Sequence, residues 1–208
     1  VGALPLIGMI GFLIGLILAF QSAIPMRRFG AEIFVANLIG LSMIRELGPL
    51  MTSVILAGRS GSAFAAEIGT MRINEEIDAI VTMGFDPMKF LVVPRIIASL
   101  IVAPLLTLFF QLAGLAGGAV VMLSLGFPFV TYVQQVQSAA ATSDLLGALF
   151  KVTVFGVLIA AIGCYRGLET KAGASAVGAS TTSAVVSGII LIAVFDGIFA
   201  VIFYFMGW

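Results

Sequence analysis

Long apolar runs separated by short polar breaks set the pattern of this chain. A bilayer core about 30 Å thick is crossed by roughly 20 apolar residues in a helix. Five segments meet that length: residues 4–24, 32–66, 88–125, 145–165 and 181–205. Pro25 and the Arg27-Arg28 pair are expected to close the first. Arg45, Glu46 and Arg59 interrupt the second, the fourth contains Lys151, and the fifth carries Asp196 in its second half. Gly126 and Pro128 break the third. The weakly polar residues after them, with Gln134, Gln135 and Gln137, predict a short extracytoplasmic helix at the surface. No period of self-similarity is found, which argues against a repeat protein or an inverted-repeat transporter.

Composition narrows the class. The chain is 61% hydrophobic and only 10% charged, with a mean hydropathy of +1.22, which places it among polytopic membrane proteins. Net charge is zero and no basic stripe exists, so nucleic acid is a poor partner. Cys164 is the only cysteine, which excludes an internal disulfide and argues against a structural zinc site. Histidine is absent, removing Ser-His-Asp and Cys-His catalysis and histidine-ligated metals. No catalytic residue, metal site or cofactor is therefore predicted. The uncharged residues 1–24 lack a basic n-region and a cleavage site, so they read as a mature span rather than a signal peptide. Beginning at Val1, the chain is expected to be part of a longer protein.

The positive-inside rule orients the spans. Arg72, Lys89, Arg95, Arg166 and Lys171 fall on one side, against only Arg27 and Arg28 on the other. The first side is therefore predicted to be cytoplasmic. Val1 then starts there and Trp208 ends at the outer interface.

Charge is concentrated in residues 45–95, which hold 11 of the 20 charged side chains. Arg45 and Glu46 are flanked by twelve uncharged residues on each side, so an ordinary helix places them near mid-span. A charge there costs about 2.5–3.5 kcal/mol, so the pair must face protein or water. It either fixes helix register as a buried ion pair or lines a substrate cavity, and Pro49 just beyond can kink the helix. Further along, Asn74 is a candidate N-cap, Glu75 and Glu76 suit a first turn, and Gly84 can end the helix. Ile73, Ile77 and Ile80 share one face, with Glu75 and Asp78 pointing elsewhere. Asp86 can cap the next helix, with Pro87 at its first position. Residues 72–84 thus predict a short amphipathic cytoplasmic helix, suited either to a soluble partner or to the bilayer surface.

Ala57, Gly61, Ala65 and Gly69 form a row of small residues, Gly58, Ser62 and Ala66 a second, and Gly11 with Gly15 a third. Each allows close helix approach, within the chain or between copies. The intramembrane charges Arg59, Lys151 and Asp196 call for partners, and Asp196 could pair with Lys151 or Arg45. No GxxxxGK[ST] motif appears, so any ATP chemistry belongs to another chain.

Together, Arg45-Glu46-Leu47-Gly48-Pro49, Ala57-Gly58-Arg59-Ser60-Gly61-Ser62-Ala63, Glu67-Ile68-Gly69-Thr70-Met71, Asp86-Pro87 and Pro94-Arg95 resemble the MlaE (YrbE) family of ABC-transporter permeases. The likeness extends to Lys151 and Asp196. It implies an all-α fold: a single transmembrane permease domain over residues 1–208, with five spans, a cytoplasmic coupling helix and a short extracytoplasmic helix. Members usually begin with an interfacial helix, which no segment here represents. The resemblance further implies a homodimer in a bacterial inner membrane. A cytoplasmic ABC ATPase, often a small STAS-domain protein, and a periplasmic MCE-domain protein would be its partners, and phospholipid its substrate. Arg45 and Glu46, with Pro49, would then lie at a lipid cavity. Arg72, Asn74, Glu75, Glu76 and Asp78 would meet the ATPase. The alternatives are an ion-coupled secondary transporter using Asp196 and Glu46, and a scaffold that only anchors the MCE protein.

Overall fold

The computed structural model describes residues 3–171 and 173–206, and its elements there are helical, with no strand among the described residues. Five helices are long and apolar enough to cross a membrane: α1 (Leu4–Arg28), α2 (Glu32–Ile73), α4 (Met88–Ser124), α6 (Thr142–Leu168) and α7 (Ala174–Met206). Two short helices connect them, α3 (Glu76–Thr82) and α5 (Phe129–Ala139). The expected outer position of Trp208 lies outside the described residues.

Boundaries follow local chemistry. Pro25 does not close α1; it sits inside the last turn, and the helix runs on to Arg28. The true stop is Gly30 at φ +65°, where Gly30 N–H reaches Arg27 O and Ala31 N–H reaches Met26 O. Only a residue without a β-carbon takes that left-handed turn at no steric cost. The third span breaks at Gly126 and Pro128 as expected, and α5 follows. At 42 residues α2 extends past the expected end at residue 66 and exceeds what a bilayer core requires.

The chain divides into two compact units. The first comprises the described residues up to Thr52 together with Leu105–Phe150. In it α1 buries Ile7, Gly11, Gly15, Ala19 and Ala23 along one stripe. A β-carbon on Gly15 would collide with the Gly114 backbone, and one on Gly117 with Phe12 O. The GxxxG face is therefore used within the chain, against α4. The helix α5 does not simply lie on the surface: Tyr132 and Val136 are buried, and Val136 packs on Gly40 of α2. Tyr132 donates its hydroxyl proton to Leu115 O at 2.9 Å. Burial pushes this phenol up to about 12, which keeps it a donor.

The second unit comprises Ser53–Pro104 and the described residues from Lys151 onward. Its small-residue row faces α6: a β-carbon on Gly163 would lie 2.7 Å from Gly61 O, and one on Gly69 2.8 Å from Thr170 Oγ1. Ser99 Oγ donates to Gly156 O at 2.8 Å across another close approach. Beneath α3, Ile68, Ile77, Ile80, Leu91, Val92 and Cys164 form one apolar cluster. Backbone contact of this kind tolerates no added atom, and overpacking costs about 1–3 kcal/mol. Gly15→Ala should lower the thermal midpoint of the purified protein, whereas Gly197→Ala, which meets nothing within 4 Å, should not.

Candidate functional site

Pro49 shapes the first polar site. It has no N–H, so it cannot bond a carbonyl in the preceding turn. The chain widens over Met43–Leu47 into a π-helical turn, in which Gly48 N–H reaches Met43 O. Ile44 O is then left to an outside donor, and Gln111 Nε2 supplies it at 3.0 Å. Gly48 is what lets Gln111 approach, because a β-carbon there would lie 2.6 Å from Gln111 Cγ. Such π-turns inside α-helices frequently mark functional sites.

Arg45 and Glu46 are half-buried on this turn, and Pro49 is buried. The Arg45 Nε lies 3.6 Å from Asp144 Oδ1, whose side chain is only 11% exposed. Asp144 is the third residue of α6 and also accepts Ala141 N–H at 2.9 Å. Arg45 is thus paired with a carboxylate near the start of α6. Asp144 and Gln111 were both missed by sequence reasoning. Their signal was isolation, since Asp144 is the only charge between Arg95 and Lys151, and Gln111 the only amide in α4.

The segment 72–84 is not one helix. Arg72 belongs to the last turn of α2, and Asn74 follows its end rather than capping α3. Glu75 occupies the N-cap position at φ +60°, with no side-chain capping bond, so only Glu76 and Asp78 lie in the first turn. This left-handed residue makes the sharp bend that Asn74 alone does not. The side chain of Asn74 instead donates to Glu76 Oε1 at 3.3 Å. Arg72 Nη1 meets Asp78 Oδ1 at 3.4 Å across the bend, an exposed contact worth under about 1 kcal/mol. The far end matches expectation: Gly84 at φ +85° lets Phe85 N–H reach Ile80 O, and Asp86 accepts Met88 N–H at 2.9 Å. Val81, Met83, Phe85, Met88 and Phe90 are exposed beside it.

Arg95 braces this region. Its Nη2 meets Glu67 Oε2 at 3.0 Å, its Nη1 donates to Leu91 O at 2.8 Å, and its guanidinium stacks on Phe64. Deeper in the same unit, fully buried Lys151 lies 2.6 Å from Asp196 Oδ1. That settles Asp196's partner between the two considered. Arg59 sits on a second π-turn, Ala57–Gly61, and is exposed, with no acidic side chain within ion-pair distance among the described residues. Ser62 Oγ bonds Gly58 O and Arg59 O, occupying carbonyls the turn has loosened. No group of three or more potential metal ligands occurs among the described residues.

Five apolar spans with a few partnered charges and a capped loop helix define a multi-pass membrane protein. The family model described as Permease MlaE matches residues 1–202. A probable ABC transporter permease protein of Rickettsia prowazekii is 41% identical over 97% of this chain and 78% of its own. The intermembrane phospholipid transport system permease protein MlaE of Haemophilus influenzae is 31% identical over 95% and 76%. Protein TRIGALACTOSYLDIACYLGLYCEROL 1, chloroplastic, of Arabidopsis thaliana is 36% identical over 92% of this chain and 55% of its own. The chain belongs to the MlaE permease family, and is a multi-pass membrane subunit of a transporter in the inner membrane.

Asp144→Asn removes a counter-charge from the half-buried Arg45. It should destabilise the protein by roughly 1–3 kcal/mol, and a double-mutant cycle with Arg45→Gln should return a favourable coupling energy.

Proposed function

We propose that this chain is the permease of an ATP-driven phospholipid transporter linking the inner membrane to a periplasmic MCE-domain protein. Lipid transport rests on the family and on the relative whose name specifies intermembrane phospholipid transport. The observation that carries the site is the Pro49-induced turn, where Arg45 pairs with the Asp144 carboxylate and the Gln111 amide takes the freed Ile44 carbonyl. A phospholipid needs such a surface, because its phosphate and its acyl chains require opposite surroundings. In this reading Arg45 and Glu46 line or brace the lipid cavity, and Pro49 holds them there. A second copy of the chain completes the cavity.

The α2–α3–α4 corner supplies the ATPase contact. Arg72, Asn74, Glu75, Glu76 and Asp78 present a polar edge beside the exposed Met83 and Phe85. Because α3 is packed through Ile77 and Ile80 onto the ends of two spans, a push on it moves those spans. A cytoplasmic ABC ATPase, with or without a STAS-domain protein, is the partner. The ion-coupled alternative draws nothing from the site: Asp196 is already engaged by Lys151 within its own unit.

Arg45→Ala with Glu46→Ala should cut phospholipid transfer by the reconstituted complex at least tenfold, about 1.4 kcal/mol, without preventing assembly. Wild-type transfer by an assembled double variant would exclude these residues from the path. Reversing Glu75, Glu76 and Asp78 to lysine should abolish lipid-stimulated ATP hydrolysis and co-purification of the ATPase. Retention of both would remove α3 from the contact.

A further inference from the structure

Beside the turn from α6 to α7 lies an open pocket of about 370 Å³, lined by Arg166, Glu169, Lys171, Ser180, Ser183 and two alanines. All of these residues belong to the second unit, at the same end of its helices as α3. None of them belongs to the Arg45 turn or to the ATPase edge.

Its charges do not balance. Glu169 is engaged twice, by Arg166 Nη1 at 3.2 Å and by the Tyr165 hydroxyl at 2.7 Å. That leaves exposed Lys171 with no acidic partner among the described residues. Arg166 also donates to Ser187 Oγ at 3.2 Å, while its buried Nε has no acceptor. Ser180 Oγ and Thr170 Oγ1 share a hydrogen bond at 2.8 Å, and Thr170 Oγ1 also lies 3.3 Å from Arg166 O. Ser183 has no hydrogen-bond partner among the described residues. A pocket with a surplus cation, an unpartnered Arg166 Nε–H and the Ser183 hydroxyl fits a phosphate-bearing anion.

What lies below the pocket selects the source of that phosphate. On α7, Ser183 continues at helical spacing into Val186, Ile190, Val194, Ile198 and Val201, all exposed. Hydroxyls at the end of a span thus give way to an outward apolar ridge along it. A free phosphate uses only the pocket; a phospholipid uses both parts.

We infer that the α6–α7 turn binds the head group of a membrane phospholipid, whose acyl chains lie along the Val186–Ile190–Val194 ridge. The site rests on the membrane-spanning character of α6 and α7 and is independent of which lipid the Arg45 turn handles. A lipid fixed there would bridge α6 and α7 on the α3 side and hold the two spans at a set spacing.

The test is a native mass-spectrometric titration of the purified protein, with the subunits that accompany it, against phosphatidylglycerol, diacylglycerol and inorganic phosphate. The wild type should retain one phosphatidylglycerol that diacylglycerol does not replace. Lys171→Glu, at an exposed position outside any packed contact, should weaken that site on the order of tenfold, as should Ser183→Leu. Unchanged binding in both variants, or equal binding of diacylglycerol, overturns the head-group site. Full displacement by inorganic phosphate at matching affinity overturns the lipid and leaves a free-anion site. Efficient disulfide formation between two copies carrying Ile190→Cys would place a second chain on the ridge and overturn the acyl-chain placement.

Discussion

A charge carried into hydrocarbon must find its counter-charge within the protein, because neither water nor lipid tails will solvate it. This constraint orders the second unit around Lys151 and Asp196, which meet at 2.6 Å between α6 and α7. It orders the first around Arg45 and Asp144, which tie the π-turn of α2 to the start of α6. At the α3 end, Arg95 and Glu67 join α4 to α2. Each pair connects different helices, so it fixes their register as well as satisfying its charges. The glycine contacts then follow, since register decides which residues must be small where Gly15 meets Gly114 and Gly61 meets Gly163.

The same rule separates the bracing charges from the exposed ones. Arg59 faces outward without an acidic neighbour among the described residues, on a helix face that also exposes Gly58 and Ala63. Lys171 is likewise uncompensated at the edge of a span. An unbalanced cation beside an apolar ridge is an amphiphilic surface, which suits a phospholipid better than a wholly apolar or a wholly polar molecule. Transport of such molecules needs polar stations within spans, and the Pro49 turn builds one at the cost of an ordinary helical hydrogen bond.

Much of this was legible in the chain itself. The five spans follow from apolar length, and the ends of α3 and α4 from Gly84, Asp86 and Pro87, because those residues act locally. The failures were of two kinds. Local chemistry was misassigned at Asn74, a good N-cap by type, because the sharp bend into α3 is made one residue later by Glu75 in the left-handed region. Pro25 reads as a stop by type, yet the helix carries it in its last turn and ends only at the left-handed Gly30. Partnerships over long sequence distance were the other kind. Nothing near Arg45 points to Asp144, 99 positions later, or to Gln111 beneath Ile44. Only the topology brings them together.

In the proposed function the Arg45–Glu46 turn belongs to an ATP-coupled lipid path. A photo-crosslinking side chain in place of Leu47, which spares both charges, tests it in the assembled complex in native-composition membranes. Leu13, on the exposed face of α1, serves as the lipid-facing control. Phospholipid labelling at position 47 should change severalfold between the nucleotide-free and ATP-bound complex, while labelling at position 13 stays constant. Equal labelling at position 47 in both states, in a complex that hydrolyses ATP normally, would contradict it.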